Sequence, residues 1–170
     1  AIPFQYYWVG TGWYGLFIIF IPVYVFLLLP MRMILIGETQ GFLRAIGTLH
    51  WGLMITVFSL SHMAYMLVLP AAANPAGGRM GLLISMVVLT ELNDVAQYLW
   101  GKTFGRRKIS PKVSPNKTVA GFVGGVATTV LLAVLFAPYL TPLSFAASLA
   151  AGTLIGLGGF VGDVTISALK

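Results

Sequence analysis

The sequence predicts an all-α integral membrane protein, a polytopic helical bundle with about five transmembrane helices, from its composition and the placement of its charges. Hydrophobic residues make up 58% of the 170 residues and charged residues only 8%. No charge occurs before Arg32, and none occurs from Thr118 through Gly162, a run of 45 residues. As one helix that run would be about 68 Å long, against a hydrocarbon thickness of about 30 Å. It therefore folds as at least two crossings, with Pro138 to Pro142 as the natural break. A soluble class is excluded by the same observations.

Taken in order, the first span covers roughly 8–29, inside the uncharged N-terminal stretch, with the aromatic residues from Tyr6 to Trp13 as an interfacial belt. Residues 31–44 carry Arg32, Glu38 and Arg44 and read as an interfacial link. The second span covers 45–69, the turn-rich 70–78 follows, and the third span covers 80–100 and closes on the aromatics Tyr98 to Trp100. A basic loop, 101–117, leads to a fourth span over 118–137 and a fifth over 143–160. Residues 1–170 form a single transmembrane domain in this reading, with no internal repeat. The start has neither a Met nor a basic leader, so no signal peptide is read and the chain is expected to be part of a longer one.

The formal charge of +6 is a topology signal and a candidate phosphate site rather than a nucleic-acid footprint, because six of ten basic residues fall in one loop: Lys102, Arg106, Arg107, Lys108, Lys112 and Lys117. Lys and Arg favour the cytoplasmic side, and alternation then puts nine of the ten inside and Arg79 outside. The same alternation brings Asp163 and Lys170 to the face of the basic loop. Cysteine is absent, which removes disulfides, thiolate metal sites and a cysteine nucleophile.

Within that loop, Ser110-Pro-Lys-Val-Ser-Pro-Asn-Lys-Thr118 runs into Gly121-Phe-Val-Gly-Gly125. Two lysines and three hydroxyls on a backbone that Pro111 and Pro115 keep from becoming a helix suit an anionic ligand at the membrane surface. Glu91 and Asp94 share one face of the third span, near Asn93, Gln97 and Tyr98, and intramembrane acids of this kind face a cavity, a partner or an ion. A paired acid that merely ties helices together is the competing reading. Asp163 follows a Gly-rich turn, Gly158 to Gly162, where an oxygen ligand beside phosphates suits Mg²⁺; a helix-capping aspartate is the competing reading.

Gly121 and Gly125, Gly152 and Gly156, and Gly158 and Gly162 have the spacing of close helix packing in membranes. No dinucleotide or Walker fingerprint is present. His50 and His62 lie twelve residues apart, about 18 Å along a helix, and do not form one metal site. Hydrogen-bonded packing is their simplest role, with a proton path the rival.

Lys112-Val-Ser-Pro-Asn-Lys-Thr-Val-Ala-Gly-Phe-Val-Gly-Gly125 resembles the Lys-x-Ser-Pro-x-Lys-Thr-x-x-Gly-x-x-Gly-Gly stretch of the phosphatidate cytidylyltransferases, or CDP-diglyceride synthases. Asn93-Asp94, then Tyr98, Gly101-Lys102 and Phe104-Gly105, is similar to that family's acidic segment just upstream, although many members read Ala-Asp-Ser where this chain has Asn93-Asp94-Val95. Gly162-Asp163 through Ser167 and Lys170 resembles the opening of its C-terminal signature, which in the family continues past this point with further acidic and basic residues. The resemblance covers about the last 80 residues.

The resemblance implies transfer of the cytidylyl group from CTP to phosphatidic acid, giving CDP-diacylglycerol and pyrophosphate for phospholipid biosynthesis, with Mg²⁺ as cofactor. It implies Asp163, Lys117 and Lys112 as the catalytic set, with Asp163 and Asp94 as metal ligands. Ser114, Asn116, Thr118, Asn93, Asp94 and Lys170 are the substrate-binding residues it implies. The expected partners are CTP, phosphatidic acid, the bilayer and a second copy of the chain in a homodimer, with no nucleic acid. The expected location is the bacterial inner membrane, with the site facing the cytoplasm. A CTP-dependent polyprenol or phytol kinase is the nearest rival. An ion-coupled transporter using Glu91, Asp94 and the histidines, and a scaffold without chemistry, are the rivals from other classes.

Overall fold

A computed structural model of the chain describes residues 1–37, 40–70, 74, 76–111 and 113–168. Lys112 and Lys170 lie outside the described residues, as does Glu38 of the expected interfacial link. The chain divides into two compact units, Ala1–Leu69 and Pro70–Lys170. The protein is an all-α integral membrane protein, and among the described residues five helices are long and apolar enough to cross a bilayer: Tyr14–Ile36, Phe42–Val68, Gly78–Phe104, Val119–Leu140 and Phe145–Ala168.

In the first unit a short helix α1 (Ile2–Thr11) precedes α2 (Tyr14–Ile36) and α3 (Phe42–Val68). The sequence reads 8–29 as one span, but Gly12 adopts φ 72 and ends α1 there, so the crossing helix starts at Tyr14. It then continues past Pro30 to Ile36. Both crossing helices widen into a π segment, Phe20–Val25 and Met54–Ser59. Pro22, which has no N–H to give the ladder, lies in the first; in the second the Ser59 hydroxyl donates to the Met54 carbonyl at 2.9 Å. Gln5, fully buried, donates from Nε2 to the Phe17 carbonyl at 3.0 Å and the Ser61 hydroxyl at 3.1 Å, tying α1 to both crossings. His62 bonds the Phe58 carbonyl through Nδ1 at 2.8 Å and packs on Phe17 and Phe58, while His50 packs on Phe26.

In the second unit, α4 (Gly78–Phe104) leads into a hairpin of β1 (Lys108–Ser110) and β2 (Ser114–Thr118), followed by α5 (Val119–Leu140) and α6 (Phe145–Ala168). The strands are antiparallel, Lys108 opposite Thr118 and Ser110 opposite Ser114, and the Val113 N–H closes the turn on the Ser110 carbonyl at 3.2 Å. The sequence reads this segment as a loop; Pro111 opens the turn and Pro115 is exposed on the short second strand, positions both prolines tolerate.

Buried residues recur every fourth position on all three helices: Gly81, Ser85, Leu89, Asn93 and Gln97 on α4; Gly121, Gly125, Thr129, Ala133 and Ala137 on α5; Ser148, Gly152 and Gly156 on α6. On α5 and α6 these ladders are ridges of small side chains, and they let backbones approach closely where lipid gives no hydrophobic drive for association. A side chain at Gly152 would meet Ala133 and Val130, and one at Gly156 would meet Val126. Across the seam the Thr129 hydroxyl is shared between Asn93 Oδ1 at 3.0 Å and the Gly125 carbonyl at 2.9 Å, while Asn93 Nδ2 and Gln97 Nε2 are buried without a hydrogen-bond partner among the described residues. Gly158 and Gly162, in contrast, face open space. The segment around them is helical rather than a turn, because α6 continues to Ala168 with Gly159 against Asn93, so Asp163 sits within the helix.

At the far end of the pair, Asn74 donates to the Leu140 carbonyl at 2.8 Å and to the Gly78 carbonyl at 2.9 Å, joining the start of α4 to the end of α5. The opposite end of the unit gathers the end of α4, the hairpin, the start of α5 and the end of α6.

Candidate functional site

That gathered end encloses a cavity of about 350 Å³. The α4 ladder delivers Gln97 and Gly101 to its wall, with Asp94 and Tyr98 on the neighbouring strip, and β2 delivers Asn116, Lys117 and Thr118. Lys102 and Lys108 complete its basic lining, and Lys102 Nζ stands 5.6 Å from the Tyr98 ring centroid.

Thr118 shapes the junction between strand and helix. It is the N-cap of α5 with an extended backbone, and its hydroxyl accepts the Gly121 N–H at 3.1 Å, which leaves its own proton to donate. Gly101, Gly105 and Gly121 surround it so closely that an added Cβ at each would come within 3.1 Å of its hydroxyl or nearer. The N-terminus of α5 thus lies at the cavity, and although the Val119 N–H is bonded to the Arg107 carbonyl and the Gly121 N–H to Thr118, its dipole favours an anion there.

Lys117 is the centre of the polar network. Its ammonium forms an ion pair with Asp163 from α6 and donates to Gln97 Oε1 from α4 at 3.3 Å. Two helices and the hairpin therefore meet at one cation. The Lys117 side chain is 22% exposed and that of Asp163 40%, so the pair sits at the mouth rather than in a sealed interior. The Ser167 hydroxyl turns back to the Asp163 carbonyl at 2.7 Å.

Of the residues expected at the site, Asp94, Asn116, Lys117 and Thr118 line the cavity, and Asp163 borders it through Lys117. Asn93 is fully buried in the α4–α5 seam, bonded to Thr129, and does not line the cavity. Ser114 is buried at the start of β2, paired in register with Ser110. Glu91 is exposed on α4, one turn before Asp94, and is not part of the lining. Sequence reasoning places Lys102 and Lys108 in the basic loop and Gln97 and Tyr98 beside Asp94, but gives none of the four an individual role at the site. The first three follow Asp94 at helical intervals and were readable as one face, whereas Lys108 reaches the cavity only because it pairs with Thr118.

Among the described residues no cluster of three or more Asp, Glu, His or Cys side chains is poised for a metal. The acids at the site are Asp94 and Asp163, a pair of oxygen donors that suits a hard cation completing its shell with phosphate oxygens and water rather than a full protein cage.

A sequence model of the cytidylyltransferase family matches residues 1–170. The chain belongs to the cytidylyltransferase family. It is 47% identical over 170 residues to a protein of Escherichia coli strain K12 called "Uncharacterized protein YnbB", covering all of this chain and 56% of that one. It is 38% identical over 94 residues to the phosphatidate cytidylyltransferase of Chlamydia trachomatis, 51% of this chain and 30% of the relative, and 46% identical over 41 residues to that of Pseudomonas aeruginosa, 24% of this chain and 15% of the relative. The chain thus spans little more than half the length of the first of these relatives and less of the others. No solved structure matches it.

Proposed function

We propose that the protein is a CTP:phosphatidate cytidylyltransferase, forming CDP-diacylglycerol and pyrophosphate with Mg²⁺. The observation that carries the reading is the meeting of Lys117 and Asp163 beside a lysine-lined cavity at the end of three membrane-crossing helices. A phosphatidate phosphate must sit at headgroup level while its acyl chains remain in hydrocarbon, and CTP arrives from water. A site at helix ends meets both demands. The named phosphatidate cytidylyltransferases among the relatives support the lipid substrate.

In this reaction an oxygen of the lipid phosphate forms a bond to the α-phosphorus of CTP. The α–β P–O bond breaks, and pyrophosphate leaves with the bonding electrons. No protein nucleophile is required, so the chain's task is to position both phosphates and neutralise their charge. Lys102, Lys108 and Lys117 supply fixed positive charge around the cavity, the Thr118 hydroxyl and Asn116 amide offer donors, and the α5 N-terminus favours the anion. Asp163 and Asp94 would hold Mg²⁺, which when bound adds positive charge where phosphate oxygens crowd. Lys112 and Lys170 belong to the proposed phosphate-binding set by resemblance. Five basic residues, Lys102, Arg106, Arg107, Lys108 and Lys117, lie at the cavity end of this unit and Arg79 at the other, which supports a cytoplasmic site in a bacterial inner membrane.

The test is CTP turnover by the full-length protein in proteoliposomes containing phosphatidate, other anionic phospholipids or polyprenol. Turnover with phosphatidate and Mg²⁺ alone, abolished in Asp163→Asn, is expected. Turnover independent of phosphatidate rejects the substrate assignment.

A further inference from the structure

Two aromatic rings line the cavity, Tyr98 from α4 and Phe122 from α5, and they stand differently. Phe122 leans on Phe160 of α6 with ring centroids 4.6 Å apart, whereas among the described residues no aromatic ring packs on Tyr98, which is 63% exposed. Gln97 and Gly121 meet in the α4–α5 seam, and in an antiparallel pair the residue after each turns to the same side, so both rings flank the seam where the cavity opens. An exposed aromatic near the end of a crossing is ordinarily an interfacial anchor. Trp100, on the same helix, fits that description: it lies over Gly124, bonds Thr128 through Nε1 at 3.0 Å and is not part of the lining. Tyr98 is in the lining, between Asp94 one turn before it and Lys102 one turn after, and Lys102 Nζ stands over its ring.

We propose that Tyr98 is the platform on which the pyrimidine base of the nucleotide stacks. The occupant is a base because the ring offers a flat π face inside a basic, water-facing site, where acyl chains do not belong and where phosphates are met by Lys102, Lys108 and Lys117. The order along α4 suits a nucleotide. With the α-phosphate held near Asp94 and Lys117, the ribose carries the base toward the water-facing end of the helix, and Tyr98 lies about 6 Å further in that direction. Stacking grips any base, so the ring supplies affinity and fixes the aim of the α-phosphate rather than the choice of cytosine. The inference rests on the nucleotide reading of this cavity.

The test uses full-length protein in nanodiscs of phosphatidylcholine, its tyrosines replaced by 3-fluorotyrosine. Of the seven tyrosine signals, that of Tyr98 is the one missing in Tyr98→Phe. CTP and inorganic tripolyphosphate are compared by ¹⁹F resonance, with binding followed by calorimetry. The Tyr98 signal is expected to move further with CTP than with tripolyphosphate, which draws on Lys102 but brings no ring. Equal movement with both ligands, or none while CTP binds, overturns the platform and leaves the phosphate site standing. Absence of CTP binding by the parent overturns the nucleotide reading and the platform together. Substitution adds a second readout. Tyr98→Leu should weaken CTP about tenfold and leave tripolyphosphate binding as in the parent, and Tyr98→Phe should keep the affinity for CTP. An equal loss for both ligands in Tyr98→Leu, or CTP affinity unchanged, overturns the proposal. So does an effect confined to the KM for phosphatidate, which assigns the ring to the lipid.

Discussion

Lys117 and Asp163, 46 positions apart, form an ion pair that joins the polar hairpin to the last helix. A structural pair and a substrate-handling pair respond differently to charge exchange. Lys117→Met is expected to lower kcat/KM for CTP by about a hundredfold, the scale of losing one preorganised donor to transferring charge. The exchange of Lys117→Asp with Asp163→Lys should restore folding without restoring turnover. Recovery of activity in the exchanged protein, measured in proteoliposomes, makes the pair structural.

Thr129 and Asn93 bond at 3.0 Å with both side chains fully buried. Thr129→Val keeps the shape and removes the donor, at a cost of about 0.6 to 1.7 kcal/mol for an interhelical bond in a membrane. Thermal unfolding in detergent should show this loss, and adding Asn93→Leu should cost less than the sum of the single changes because the shared bond is counted once.

Gly125 and Gly158 differ in surroundings although both lie in helices rich in glycine. A methyl at Gly125 overlaps Gln97, whereas a methyl at Gly158 meets nothing within 4 Å. Gly125→Ala should destabilise by about 1–3 kcal/mol, and Gly158→Ala should stay within about 1 kcal/mol of the parent. Equal melting temperatures for the two variants contradict the packing described.

Chelation offers a separate check on the carboxylates. With Asp94 and Asp163 as oxygen donors, EDTA should stop turnover, and Mg²⁺ should restore it in the parent but not in Asp163→Asn. Turnover that survives complete chelation contradicts a divalent-ion role.

The crossings were legible because hydrocarbon excludes charge: uncharged runs and the Pro138 to Pro142 break mark α5 and α6 without any packing information. Alternation of helices across the bilayer puts Lys117 and Asp163 on one membrane face, and helix packing then brings them into contact. Asn93 and Asp94 show where such reasoning stops. They are neighbours in sequence, yet Asn93 lies on the four-residue ladder that α5 covers while Asp94 lies beside it in the cavity wall. The polarity of the two side chains does not reveal this, and the spacing of Gly81, Ser85, Leu89, Asn93 and Gln97 does. Lys108 was hidden for another reason, since its place depends on a cross-strand register that a loop-like sequence does not announce. The end of α1 depends on the φ of Gly12, a choice made by the backbone.

The most direct measurement of the central claim follows two labels through one reaction. Full-length protein in phosphatidate-containing proteoliposomes is given CTP labelled in either the α- or the γ-phosphate, and the lipid fraction is counted. Cytidylyl transfer predicts α-label in the lipid and γ-label in released pyrophosphate. Label in the lipid from the γ-phosphate, or from neither, contradicts it.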